Sequence, residues 1–225
     1  MSHLKHRVWL AGATGLVGRA LLADLLQQPV QIDALLRRPA NDLLSSPRLR
    51  QHSVDFTRPD LGTSDLAKPE TVYICLGTTL AVAGSQAAFR AVDYDAVVNV
   101  ARAARAAGAR SCAVVSALGA KPTSSVFYNR VKGEMEQALI ALRFERLVIA
   151  RPSLLAGDRE QLGQAKRNGE AWALRLTKPF AGLIPAKWRP IQVDVLARAL
   201  ILALNQEGPA LQVLESEQLQ TLGAI

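Results

Sequence analysis

The chain has 225 residues, 49% hydrophobic and 20% charged, enough apolar material for one large core and a length within the range of a single domain. The formal net charge of +8 arises from 27 basic residues against 19 acidic ones, scattered along the chain without blocks or interleaved aromatics, which speaks for a solvated surface and excludes an obvious nucleic-acid face. The apolar runs are too short to span a bilayer, and Cys75 and Cys112 lie in apolar runs without a second thiol or a histidine at ligand spacing, so neither a disulfide framework nor a metal site is expected.

In chain order, MSHLKHRVWLAGATG enters a strand-like stretch with no separate apolar leader, from which a soluble, cytoplasmic protein is expected. The strand RVWLAG leads into GATGLVG and then the helical run LVGRALLADLLQQ. Gly12, Gly15 and Gly18 fall between a strand and a helix, where glycine lets backbone approach a pyrophosphate and a helix N-terminus offers its unsatisfied N–H groups. A plain tight turn is the simpler alternative, but this placement favours dinucleotide binding by Gly12, Thr14, Gly15, Leu16, Val17 and Gly18.

The next strand, QIDALLRR, ends on Arg37 and Arg38, where an acid would meet a free ribose 2′-hydroxyl. Asp33 falls in the body of that strand and should not reach the ribose. Two guanidinium groups suit a 2′-phosphate, so NADP(H) is preferred, with NAD(H) and a merely solvated arginine pair as the alternatives. The runs RLRQHSVDF and TVYICLG end on Asp55, Phe56, Leu76, Gly77 and Thr78, which at a sheet edge would flank adenine and ribose. Each taken alone is more often a strand-end turn.

A long helical stretch, SQAAFRAVDYDAVVNVARAARAAG, carries an apolar face that is either buried on its own sheet or paired in a homo-oligomer. The strand SCAVVS ends on Ser116, and the helix VFYNRVKGEMEQALIALR opens with Tyr128 and Lys132, at i and i+4 on one face. A free phenol titrates near ~10, and a neighbouring ammonium favours its ionised form. A chance pair on an ordinary helix is the rival reading, weakened by the position of all three residues behind a dinucleotide turn.

After the strand RLVIAR comes Pro152, and from about residue 157 the pattern loosens. The 157–190 region is expected to cover the substrate side, with Trp172, Phe180 and Trp188 either walling the pocket or, the favoured alternative, lying in the core. The helix VDVLARALILAL follows. Apolar strands alternating with crossover-length helices give the fold class: α/β, a doubly wound parallel sheet (Rossmann fold), one domain with a small irregular C-terminal substrate-side region.

GATGLVG, the LLRR strand end, CLGTT, VVSALGA, YNRVKGEME and IARPSLLAGDRE together resemble an atypical short-chain dehydrogenase/reductase, nearest to the Tat-interacting-protein oxidoreductase branch. That resemblance spans nearly the whole chain. It implies Tyr128 as acid/base, Lys132 as the group that tunes it and binds the nicotinamide ribose, and Ser116 as the substrate-orienting hydroxyl. It also implies Pro152 beside the nicotinamide and Arg37 with Arg38 at the adenosine phosphate. The expected activity is NADP(H)-linked hydride transfer to or from a small-molecule carbonyl or hydroxyl; a catalytically weak nucleotide-binding regulator and a nucleotide-sugar epimerase are the second and third readings. Relatives shape a proton relay with an asparagine in the fourth crossover helix. Here Asp93 and Asn99 are the polar residues available, and the sequence assigns the relay to neither.

Overall fold

Seven strands pair side by side, all parallel, in a computed structural model that describes residues 6–62, 66–156 and 185–224. In chain order the elements are β1 (Arg7–Ala11), α1 (Leu16–Leu25), β2 (Gln31–Leu36), β3 (Leu49–Ser53), β4 (Thr71–Ile74), α2 (Leu80–Ala83) and α3 (Gln86–Arg90). A π-helical turn, Ala91–Ala96, runs on into α4 (Val97–Ala106), followed by β5 (Ser111–Val115), α5 (Phe127–Ala141), β6 (Arg146–Arg151) and the short β7 (Leu155–Ala156). Then come a 3₁₀ turn (Ala186–Trp188), β8 (Ile191–Gln192), α6 (Val193–Asn205), β9 (Leu211–Glu215) and α7 (Ser216–Gly223).

The sheet order is β3-β2-β1-β4-β5-β6-β9, with β7 and β8 forming a separate parallel pair. The order turns back between β1 and β4, and the crevice outside the carboxyl ends of the strands at such a point is where open α/β sheets bind ligands. Period-two alternation along β1 sends Val8 and Leu10 to one face and Trp9 and Ala11 to the other. On the first face Leu21, Leu22 and Leu25 of α1 pack with Leu196, Ala199 and Leu200 of α6. On the second, Val97, Val100, Ala101 and Ala104 of α4 pack with Met135 and Leu139 of α5. The long apolar helix is therefore buried on its own sheet.

The doubly wound parallel sheet is as expected from the sequence, and three features go beyond it. The strand β9 extends the sheet past β6 in register, Leu147 opposite Leu211 and Arg151 opposite Glu215. Residues 86–106 form a helix interrupted by a π turn instead of a uniform one. Trp188 is 61% exposed, against the expectation of a core residue. Trp172 and Phe180 lie outside the described residues. Among the described residues, no helix is long and apolar enough to cross a membrane.

Candidate nucleotide and reaction site

The turn after β1 is built by backbone proximity. Gly12 has φ of 89°, and a methyl group there would fall 2.6 Å from the Cys75 carbonyl, so only glycine fits both the angle and the space. At Gly18 a Cβ would stand 2.0 Å from the Gly12 oxygen, the close helix–strand approach that the third glycine of such a turn permits. Gly15 is the N-cap of α1; no side chain caps it and no acid occupies the first turn. The unpartnered N–H groups of that turn, with the helix dipole behind them, suit an anion. Thr14 is exposed, Leu16 half-buried and Val17 buried.

Arg37 and Arg38 follow β2 directly and are exposed. Asp33 is 1% exposed in the middle of β2, where its carboxylate accepts from Arg7 at 2.9 Å and lies 2.8 Å from His52, so it is committed to the sheet. Beyond β3, the exposed Asp55 carboxylate accepts from the Thr57 N–H and hydroxyl. These bonds hold its pKa below the ordinary carboxylate value. Asn99 donates to the Phe56 carbonyl at 3.0 Å, tying α4 to this loop.

Beyond β4, Leu76, Gly77 and Thr78 run alongside the π turn. The Thr78 N–H donates to Asp93 Oδ2 at 2.8 Å, and a Cβ on Gly77 would lie 3.4 Å from Asp93 Oδ1 and 4.0 Å from Lys132 Nζ. The same Asp93 Oδ1 pairs with Lys132 Nζ at 2.8 Å, both side chains at or below 4% exposure. Lys132 Nζ also lies 3.4 Å from the Val115 carbonyl at the end of β5. Burial, the largest single influence, disfavours the ammonium, but Asp93, Tyr128 and Glu136 together outweigh it, and the Lys132 pKa ends above its ordinary value.

Tyr128 opens α5, half-buried, its ring 5.4 Å from that of Phe89. Ser116 lies just past β5, 3% exposed, and its hydroxyl donates to Glu136 Oε1 at 2.5 Å. Glu136, itself 4% exposed, accepts a fork from Arg151, Nε at 3.0 Å and Nη2 at 2.6 Å. Arg151 reaches on to Glu215 of β9 at 3.0 Å. The Glu136 hydrogen bonds hold the guanidinium above its ordinary pKa against burial, and Glu215 assists. Gly133 lets α5 approach the 121–122 backbone, since a Cβ there would meet Lys121 and Pro122 at 2.3 Å.

The structure thus joins the glycine turn, Cys75, Gly77, Thr78 and Lys132 into one continuous edge, with Tyr128 on the turn of α5 before Lys132. Buried Pro152 accepts the Leu118 N–H through its carbonyl at 2.9 Å. A cleft of about 540 Å³ opens where the loop after β5 meets the ends of β6 and β9, lined by Leu118, Asn129, Arg151, Lys187, Trp188 and Glu215 among others. Neither Ser116 nor Tyr128 lines it; Ser116 is linked to the lining Arg151 through Glu136, and Tyr128 precedes the lining Asn129 in the chain. Two residues escaped the sequence reading, Glu136 and Arg151, and Asp93 was singled out there without a role. One signal was present, because Tyr128, Lys132 and Glu136 recur every four residues on α5, and charges on a stripe that packs inward require buried partners.

A family model described as NAD(P)H-binding matches residues 12–168. Protein fmp52, mitochondrial, of Emericella nidulans is 35% identical over 213 residues, 90% of this chain and 91% of that protein. Protein HTATIP2 of Rattus norvegicus is 31% identical over 223 residues, 96% of this chain and 88% of that one. Among solved structures, a UDP-galactose 4-epimerase superposes with a TM-score of 0.69 at 15% identity, covering 92% of this chain and 76% of that chain. At that identity the likeness is one of fold. The fungal relatives are named as mitochondrial, which overturns the expectation of a cytoplasmic protein. That expectation rested on the lack of an apolar leader, and mitochondrial targeting segments are amphipathic and basic instead.

Proposed function

The chain belongs to the NAD(P)H-binding family, in an atypical short-chain dehydrogenase/reductase-like branch with HTATIP2 among its relatives, and from that premise we propose that it is an NADP(H)-dependent oxidoreductase acting on a carbonyl or hydroxyl group of a small molecule. The observation that carries this reading is the Lys132 ammonium, kept charged in a buried position, beside Gly77 and one helical turn from Tyr128. The cradle fits a dinucleotide: at Gly12 and Gly18 any Cβ would close the turn. Arg37 and Arg38, exposed and without an ion pair among the described residues, would take a 2′-phosphate, which is the support for NADP(H) over NAD(H). The fungal relatives' names make mitochondria the compartment in which to look for this activity.

When bound, the nicotinamide supplies or accepts the hydride. Tyr128 gives or takes the proton on the substrate oxygen, and the Lys132 charge stabilises the phenolate form that proton release leaves. Ser116 has one proton and donates it to Glu136. Towards a substrate it therefore offers lone pairs, which orient a hydroxyl better than a carbonyl. Residues 157–184 of the region expected to cover the substrate side lie outside the described residues. Replacing Tyr128 with Phe should lower NADPH-linked turnover on a panel of carbonyl compounds by about 10²–10⁴-fold. Unchanged rates would exclude the phenol as acid/base.

One observation favours a second reading, a nucleotide-binding regulator with little turnover: the 540 Å³ cleft is lined by neither Ser116 nor Tyr128. Wild-type protein that binds NADPH tightly and turns over no carbonyl or alcohol would select it.

A further inference from the structure

Asp93 has no place in the roles assigned above, yet both oxygens of its carboxylate are engaged in the interior of the site. It is 1% exposed. One oxygen holds Lys132 Nζ at 2.8 Å and the other accepts the Thr78 N–H at 2.8 Å. It thereby joins the turn after β4 to the helix that carries Tyr128 and Lys132. The π turn, with its extra residue, is the local irregularity in which Asp93 sits, and such insertions are frequent at functional sites.

We propose that Asp93 is a positioning residue of the nucleotide site: a buried counter-ion that keeps Lys132 protonated and fixes its ammonium against the 77–78 turn. The inference rests on the reading that the nicotinamide end of the nucleotide lies against Lys132. An ammonium at 4% exposure has almost no water to solvate it, so without an opposing charge it loses its proton readily. The other titratable groups acting on it are Tyr128 and Glu136, both on α5. Glu136 is already engaged by Arg151 of β6, and β5 presents only the Val115 carbonyl. Asp93 is therefore the one dedicated counter-charge among the described residues.

The sign follows directly. With Asp93 in place the Lys132 pKa lies above its ordinary value, so the ammonium is charged at every pH near neutrality. With an uncharged isostere, burial is left as the leading influence and the pKa falls. Lys132 then titrates as pH rises, taking with it a charge-assisted contact to the nucleotide.

The test is nucleotide binding, measured by quenching of intrinsic tryptophan fluorescence by NADPH at pH values from about 6 to about 9, on wild-type protein and Asp93→Asn. Taking the ratio of the two dissociation constants at each pH cancels the titration of the nucleotide itself. The ratio should rise with pH by about tenfold for each unit that Lys132 titrates below the assay pH. A ratio constant across the range, in a variant that melts cooperatively, would overturn the proposal. Should Asp93→Asn not fold, the double replacement with Lys132→Met decides. Removing both charges leaves no buried charge unpaired, so the double variant should fold, and failure of both variants to fold would show that the ion pair is not what Asp93 provides. Turnover takes no part in the measurement, so a protein that binds nucleotide but reduces no carbonyl would defeat the oxidoreductase reading and leave this one intact.

Discussion

The two halves of the candidate site are made of different materials. Around β1 and α1 the nucleotide end is backbone: Gly12 against Cys75, Gly18 against Gly12, an α1 N-terminus with no capping side chain. Around β5, α5 and β6 the reaction end is buried charge: Asp93 with Lys132, and Ser116 with Glu136, Arg151 and Glu215. Backbone recognition depends on shape and tolerates no added atoms. Charged recognition depends on paired groups, each of which becomes a liability when its partner is removed.

The sharpest way to break this contrast is at the glycine turn. Gly18→Ala would place a methyl 2.0 Å from the Gly12 carbonyl oxygen, and either the turn opens or α1 moves. Titration with NADPH should show binding lost altogether, and the thermal midpoint should drop, since forced overpacking costs about 1–3 kcal/mol. If this variant binds as well as the wild type, the nucleotide end does not depend on close backbone approach.

At the reaction end Glu136→Gln should act through charge alone, because the amide keeps the shape. It leaves the Arg151 guanidinium with Glu215 as its remaining charged partner and weakens the Ser116 bond. Arg151 retains 25% side-chain exposure, so urea unfolding should register about 2 kcal/mol, below the range for orphaning a fully buried charge. NADPH affinity should change little. A loss of binding as large as that of Gly18→Ala would mean that the two halves are not separable.

The smallest effect is expected at Arg37 and Arg38, exposed and without an ion pair among the described residues. Replacing both with Ser should weaken NADPH binding by about tenfold, in keeping with the loss of one or two charge-assisted hydrogen bonds, and leave NADH binding and stability nearly untouched. Equal weakening towards NADPH and NADH would remove the case for 2′-phosphate recognition.

The same division explains what could be read from the sequence. The glycine turn, the strand ends and the doubly wound order are local signals: a motif of seven residues, apolar runs, crossover-length helices. The pair Tyr128 and Lys132 was legible for the same reason, being four residues apart on one helix. Asp93 was not assignable, because a choice between Asp93 and Asn99 depends on the phase of the helix, and the π turn shifts that phase. In the fold Asn99 holds the Phe56 carbonyl and Asp93 holds Lys132. Glu136 and Arg151 were hidden because their partner lies on another element, and β9 was missed because LQVLE is short and buries only one of its residues.

The account stands on convergence of the phenol of Tyr128 and the ammonium of Lys132 on one bound nicotinamide. The direct measurement is a crystal structure of the complex with NADP⁺. It should place the nicotinamide ring over the β4–β5 edge, with Lys132 Nζ in hydrogen-bond reach of its ribose and the Tyr128 hydroxyl facing the ring across a gap that one small substrate group can fill. An ordered nicotinamide lying elsewhere, with Lys132 still paired to Asp93 and touching no part of the nucleotide, would contradict it.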